Sequence, residues 1–322
     1  MSEERYTYAV ARVRAKESTL LNKAALEQLL GCKTSEECLR SLRERGWGDE
    51  TTHTAEEILQ AETDKTWQFL NEVLEDVHSL DVFRLRADFH NLKAAIKQVC
   101  SGSVTPNVFA PGGTVSPDSI LPAVQEQDFS RLPAHLAEPA RECFAIMQST
   151  QDAQLCDLAL DKDCLAAIGQ KGKSEKNEAL RLYAETTVAC ADIRIAVRCC
   201  KTKKPLNLIR QSLAACETLS VEQLAKAASE SPDAIAAYLQ TTAYAEGAEL
   251  VKSNLSAFEC WCDSLLIQRL RPQRYNPFTI GPLAAYLLAR ESEIKSVRLI
   301  LSAKRNGLGE QTIRERLREC YV

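Results

Sequence analysis

The sequence predicts an all-α protein built of three similar helical lobes, and three observations carry that reading. First, one apolar stripe occurs three times: Phe89, Leu92, Ile96 and Val99; Cys190, Ile193, Val197 and Cys200; and Ile294, Val297 and Leu301, closing on Lys304. Steps of three, four and three keep each set on one face of an α-helix. Second, the flanks repeat. A small polar residue precedes the second stripe position (Asn91, Asp192, Ser296), a cation follows it (Lys93, Arg194, Arg298), and a breaker ends each helix (Gly102, Pro205, Gly307). Third, aromatic residues make up only 6% of the 322-residue chain, too few for a protein of strands, which favour aromatic and β-branched side chains. The lobes expected are 1–104, 105–204 (opening with a proline-rich linker) and 205–322.

Taken in order, Arg5 to Leu30 reads as helix. Thr34 opens the next, with Glu37 completing a capping box, and Gly46-Trp47-Gly48 ends it. Thr54 caps a long helix through Leu59, Trp67 and Leu74, and the first repeat helix runs from about Asp81 to Cys100. Six prolines between Ser101 and Pro139 predict a linker with short helices at most, since proline lacks an amide donor and crowds the preceding turn. Periodicity resumes from Arg141 to Gly169, Lys171 to Lys176 reads as a polar turn, and Glu175 to Lys203 is one long helix. Lys201, Lys203 and Lys204 stand where the negative end of the helix dipole favours cations. Two short helices follow Pro205. Ser220 to Gln223 is a second capping box, Pro232 opens another helix, and Ala236 to Leu270 reads as nearly continuous. Arg271 to Pro282 is the second linker, Leu283 to Asn306 the third repeat helix, and Ile313 and Leu317 mark a short amphipathic tail.

Composition excludes several functions. The formal net charge of −4 argues against a nucleic-acid partner, which calls for a basic field. The opening MSEERYTYAV lacks the apolar core of a secretory signal, and no stretch is long and apolar enough to cross a bilayer, so a cytoplasmic setting with all thirteen thiols reduced is expected. The cysteine spacings do not suit a zinc or redox site, and Cys190 and Cys200 lie on an apolar stripe as small hydrophobes. No phosphate loop, dinucleotide fingerprint, nucleophile elbow or metalloprotease motif occurs, so neither cofactor nor metal is expected. His90 reads as a structural hydrogen-bonding group. Asp88-Phe-His-Asn91-Leu-Lys93 is the most distinctive short string. Asp88 and Asn91 lie one turn apart and can share a partner, and the string reads as either a solvated helix or an inward polar row between lobes.

Three strings then carry a resemblance. Tyr8-Ala-Val-Ala-Arg12-Val-Arg14-Ala, Asp88-Phe-His-Asn91-Leu-Lys93 and the run from Gly281 through Tyr286, Glu291, Glu293, Lys295, Arg298 and Lys304 to Gly307 resemble, in that order, the signatures of the C-type subunit of V/A-type rotary ATPases, known as the d-type subunit in the eukaryotic vacuolar pump. Asp192 departs from the pattern, standing where asparagine is expected. The resemblance implies a non-catalytic funnel of three lobes about a pseudo-threefold axis. The funnel would sit on the membrane proteolipid ring at its cytoplasmic face and receive the foot of the central shaft (D- and F-type subunits), without entering lipid. It would couple ATP hydrolysis or synthesis to proton or sodium transport by rotation and bind no nucleotide. Asn91, Lys93, Lys97, Arg194, Arg198, Lys295 and Arg298 are the candidate interface residues. Two other readings stand beside it: a helical-repeat adaptor for soluble partners, against which a period near a hundred residues counts, and a cysteine-dependent helical enzyme, which would need a thiol of depressed pKa.

Overall fold

A computed structural model describes residues 6–322, and among them every regular element is helical. In chain order the α-helices are α1 (Thr7–Glu17), α2 (Lys23–Gly31), α3 (Ser35–Glu44), α4 (Ala55–Val73), α5 (Leu85–Ser101), α6 (Pro117–Gln125), α7 (Ala134–Thr150), α8 (Ala153–Ser174) and α9 (Glu178–Lys201). They continue as α10 (Leu206–Ser212), α11 (Val221–Glu230), α12 (Pro232–Leu239), α13 (Ala248–Ser253), α14 (Leu255–Leu270), α15 (Gly281–Arg305) and α16 (Glu310–Arg314). The described residues divide into two compact units: 6–78, 177–183 and 249–322 form one, and 79–176 with 184–248 the other.

In the first unit α15 is the central element, touching α1, α2, α3, α4, α14 and α16. Its residues Ile294, Val297, Ile300 and Leu301 pack with Leu26, Leu29 and Leu30 of α2, Leu42 of α3, and Ile58 and Leu59 of α4. A charged cluster lies buried on the same helix. Arg290 bonds the carboxylates of Glu62 and Glu293, and its guanidinium stands 5.1 Å from the Trp47 ring centroid. Desolvation works against the Arg290 charge, but Glu293, Tyr286 and Glu62 outweigh it and hold the group above its ordinary pKa. In the second unit α5 contacts α6, α7 and α8, burying Phe89, Leu92, Ala95 and Ile96. The salt bridges of α5 to α8 run from Lys93 to Asp161 (2.6 Å) and from Lys97 to Asp157 (2.6 Å).

Several boundaries differ from expectation, each for a local reason. The stretch read as helix through Leu30 is helical but interrupted, α1 ending at Glu17 and α2 starting at Lys23. Ser18 and Thr19 hydroxyls donate back to the Ala15 and Lys16 carbonyls, and Asn22 accepts from the Ala25 amide to start α2 (2.9 Å); Arg5 lies outside the described residues. The stretch 101–139 holds all of α6 and the start of α7. Pro117 is the first residue of α6, where its missing amide is not needed, whereas Pro122 and Pro139 sit in second turns. The polar turn read over 171–176 stays helical to Ser174. The helix read from Ala236 to Leu270 breaks after Leu239, where Thr241 and Thr242 hydroxyls donate to the Tyr238 and Leu239 carbonyls, and again at Asn254, the cap of α14. Thr34 and Ser220 each cap their helix, but Glu37 reaches the Lys33 amide, so the reciprocal box forms at Thr54 and Glu57 instead. Nor are all thiols free: Cys143 and Cys156 form a disulfide between α7 and α8.

Candidate functional site

The three small polar residues of the repeated helices are all buried, Asn91 at 0%, Asp192 at 1% and Ser296 at 3% exposure. A polar group survives such burial when it is hydrogen-bonded, and two of the three have visible partners. On α5, Asn91 accepts from the Ala110 amide (2.7 Å) and donates to the Ala110 carbonyl (2.9 Å). On α9, Asp192 accepts from the Ala214 amide (3.1 Å). Asn91 therefore holds the segment that follows α5, and Asp192 the segment that follows α10. Burial pushes the Asp192 carboxyl up to about 7; the Ala214 amide opposes this and the Glu185 carboxylate adds to it.

A carboxylate completes each arrangement. On α5, Asp88 accepts from the Val115 amide (3.1 Å) and the Thr114 hydroxyl (2.6 Å). On α9, Glu185 accepts from the Thr218 amide (2.8 Å) and hydroxyl (2.6 Å). On α15, Glu293 accepts from the Leu21 amide. In each case the captured amide lies one or two residues before a helix-capping side chain: Ser116 for α6, Ser220 for α11 and Asn22 for α2. The first repeat helix thus anchors the start of α6, the second that of α11, and the third that of α2, near the beginning of the chain. Burial raises the Glu293 carboxyl to about 7, against the pull of Arg290 and the Leu21 amide.

The segment 108–115 is held most heavily. Arg84 donates to the Gly112 (2.9 Å) and Gly113 carbonyls, and His90 contacts the Val108 carbonyl (2.9 Å), which is the structural role expected of it. A side chain at Gly113 would collide with the Asp88 carboxylate, which gives the Gly112-Gly113 pair a packing reason. Asp88 and Asn91 do not share a partner, and the inward polar row between lobes is corrected: both side chains are spent on the chain's own 108–115 segment. His135 also reaches Asp88 (3.3 Å), filling the remaining approach.

Of the candidate interface residues, Asn91 has no exposed surface. The cations differ from it. Lys93 and Lys97 are bound to Asp161 and Asp157, Lys295 to Asp263 (3.4 Å) and Arg298 to Glu56 (3.2 Å), all partly exposed. Arg194 is half-buried and Arg198 exposed. Lys93 and Lys97 come together about Asp157 (3.8 and 2.6 Å), whereas Lys295 and Arg298 on α15 each take a separate carboxylate. The sequence reading missed the Trp47, Glu62, Arg290 and Glu293 cluster; the signal for it was an arginine and a glutamate one turn apart in the otherwise apolar start of α15.

The shifted thiols do not suit nucleophilic chemistry. Burial pushes Cys38, Cys164 and Cys216 up to about 12 and raises Cys100, Cys199, Cys200, Cys260 and Cys320, the opposite of what a nucleophilic thiolate requires. Among the described residues no group of three or more His, Cys, Asp or Glu side chains could hold a metal ion, and no helix is long and apolar enough to cross a membrane.

Comparison with known proteins covers nearly the whole chain. Residues 9–316 match the family model described as ATP synthase (C/AC39) subunit. The C-type subunit of the V-type sodium ATPase of Enterococcus hirae is 23% identical over 321 residues, covering 96% of this chain and 97% of that protein. Its counterpart in the A-type ATP synthase of Methanocaldococcus jannaschii is 22% identical, with 97% and 86% covered. The counterpart in the V-type ATP synthase of Thermus thermophilus is 25% identical over 203 residues, with 60% and 62% covered.

Proposed function

Since the chain belongs to the ATP synthase (C/AC39) subunit family, we propose that it is the non-catalytic, C-type central-stalk component of a V/A-type rotary ATPase, the counterpart of the d-type subunit in the eukaryotic vacuolar pump. It sits on the cytoplasmic face of the membrane, between the D- and F-type shaft subunits and the proteolipid ring, and turns with both. Rotation of this collar couples ATP hydrolysis or synthesis to proton or sodium movement. The observation that carries the reading is the similarity to C-type subunits of V- and A-type ATPases, which covers 96% of this chain and 97% of the relative in one case.

The proposed architecture is three lobes, 1–104, 105–204 and 205–322, in a funnel with pseudo-threefold symmetry. A carboxylate clamp supports it, at matching positions on α5 and α15 (Asp88, Glu293) and one turn earlier on α9 (Glu185). Asp88, Glu185 and Glu293 each capture an amide just ahead of a capped helix, and the third capture returns to the start of the chain, as a closed repeat requires. A coupling element must also resist twisting, and helices packed at crystal-like density around buried polar anchors are stiff. The cations Lys93, Lys97, Arg194, Arg198, Lys295 and Arg298 are proposed to face the shaft or the ring, with Asn91 setting the loop beside them.

Affinity purification of the tagged protein from membranes of its source cell tests the assignment: shaft and ring subunits should co-purify, and their absence would refute it. Charge reversal at Lys93, Arg194 and Arg298 together should uncouple ATP hydrolysis from ion transport in the assembled enzyme while the isolated protein stays folded, because partly exposed ion pairs contribute only about 0–1 kcal/mol each. Normal coupling in that variant would remove these cations from the interface.

A further inference from the structure

Among the stretches of this net-negative chain that lack acidic residues, two lie in the same compact unit and are joined by side chains. Residues 6–16 carry Arg12, Arg14 and Lys16 with no Asp or Glu, and residues 264–290 carry Arg269, Arg271, Arg274 and Arg290 with none. The Arg274 guanidinium stands 5.7 Å from the Tyr321 ring centroid, and the Tyr321 hydroxyl donates to Glu17 at the end of α1 (3.1 Å). On the other flank of α1, Arg12 and Lys16 lie over the Phe69 ring, which meets Tyr286 of α15 edge to face.

Arg12, Lys16 and Arg274 have no ion-pair partner among the described residues; their contacts are to aromatic rings and, for Arg12, the Tyr8 hydroxyl. The nearby carboxylates are already occupied: Glu17 is buried and bound by Arg14 and Tyr321, and Glu319 by Arg271. Two exposed rings stand against these cations, Tyr275 (80%) by Arg274 and Tyr8 (61%) by Arg12, and Phe278 (52%) is exposed in the same connection as Tyr275. Tyr275 and Phe278 flank Asn276-Pro277 in the connection leading into α15, where proline stiffens the backbone.

Uncompensated cations with projecting amphipathic rings match the chemistry of a lipid headgroup layer. Phosphates take the guanidinium and ammonium groups, and the rings settle at the boundary between headgroup and hydrocarbon. We infer that the exposed side of α1 and the 271–280 connection form a contact surface for anionic phospholipid headgroups, with Arg12, Lys16 and Arg274 reading phosphate and Tyr275 and Phe278 seating at the interface. The protein rests on the surface and sends no segment across it. An acidic polypeptide is the rival occupant; the projecting rings favour the lipid, because a soft layer can admit them without a matching pocket.

Co-sedimentation of the full chain with large unilamellar vesicles tests this, using pure phosphatidylcholine against an equal mixture with phosphatidylglycerol. Binding should be confined to the anionic vesicles and weaken as salt rises. The triple variant Arg12→Glu, Lys16→Glu, Arg274→Glu should bind at least about tenfold more weakly. Tyr275→Ala with Phe278→Ala should lose affinity without losing the anionic preference, and Lys226→Glu on α11 should bind as the parent does; circular dichroism confirms that each variant is folded. Equal binding to both vesicle types, no binding to either (the result an acidic-protein surface would give), or full binding by the folded triple variant would overturn the inference. The assay contains no other ATPase component, so it fails or succeeds independently of the rotor assignment.

Discussion

Replacing Asp192 with asparagine should stabilise this protein at neutral pH. In the native state the Asp192 carboxyl is raised to about 7 by burial, against an ordinary value of 3.8. Between those two values the native state holds a proton that the unfolded chain releases, so stability falls as pH rises through the window and is level above it. At pH 7 the accumulated cost is about 4 kcal/mol by linkage, an upper bound for one carboxyl of this shift. Asparagine abolishes the titration and keeps the oxygen that accepts from the Ala214 amide. Its amide group then needs an acceptor, and Asn91 on α5 shows the solution, bonding both the amide and the carbonyl of Ala110. If the new amide finds no carbonyl, about 1–3 kcal/mol of the gain is lost. With that loss the net expectation at pH 7 is a stabilisation of about 1–3 kcal/mol; the titration gain falls to about 0.5 kcal/mol near pH 4, so the unpaired amide there leaves the variant less stable than the parent by about 0.5–2.5 kcal/mol. Urea unfolding of parent and variant at pH 7, 5.5 and 4 measures it. A variant less stable than the parent at pH 7, or a difference that ignores pH, would refute the reasoning.

Three other outcomes follow from the same contacts. Arg290→Ala leaves Glu62 and Glu293 buried without their counter-charge and should cost about 3–5 kcal/mol in urea unfolding, part of it recovered by adding Glu62→Gln and Glu293→Gln. The Cys143–Cys156 disulfide closes a 13-residue separation, so Cys156→Ser should cost about 3 kcal/mol. Thiol titration in denaturant should count eleven free thiols before reduction and thirteen after. Thr54→Ala removes the reciprocal capping box of α4 and should lower thermal stability by about 1 kcal/mol, whereas the same change at Ser220, a one-way cap, should cost less.

Much of this was legible one residue at a time. Stripes with steps of three, four and three placed α5, α9 and α15 within a few residues of where they lie, because burying one face of a helix imposes that spacing whatever it packs against. The small polar residue beside each stripe was visible too, as was the departure at Asp192. What each one does was not. Asn91 bonds Ala110, Asp192 bonds Ala214, and Glu293 bonds Leu21 across 272 positions of chain, and no local pattern encodes which distant amide a buried oxygen will meet. Over 101–139 the short α6 fits the expectation, and only the start of α7, read at Arg141 and found at Ala134, differs, because Pro139 in the second turn costs one lost bond without ending the helix.

By itself, the sequence determined the helical class, the three repeated stripes, most helix starts, and a family resemblance strong enough to suggest a mechanical part. Periodicity and capping are short-range, so neighbouring residues suffice to express them. Only the tertiary structure decided that the polar row of α5 serves the chain's own loop, that Arg290 is buried between two carboxylates, and that two acid-free segments meet. Those outcomes depend on desolvation and charge pairing between residues far apart in the chain, and these forces act only once the fold has brought them together.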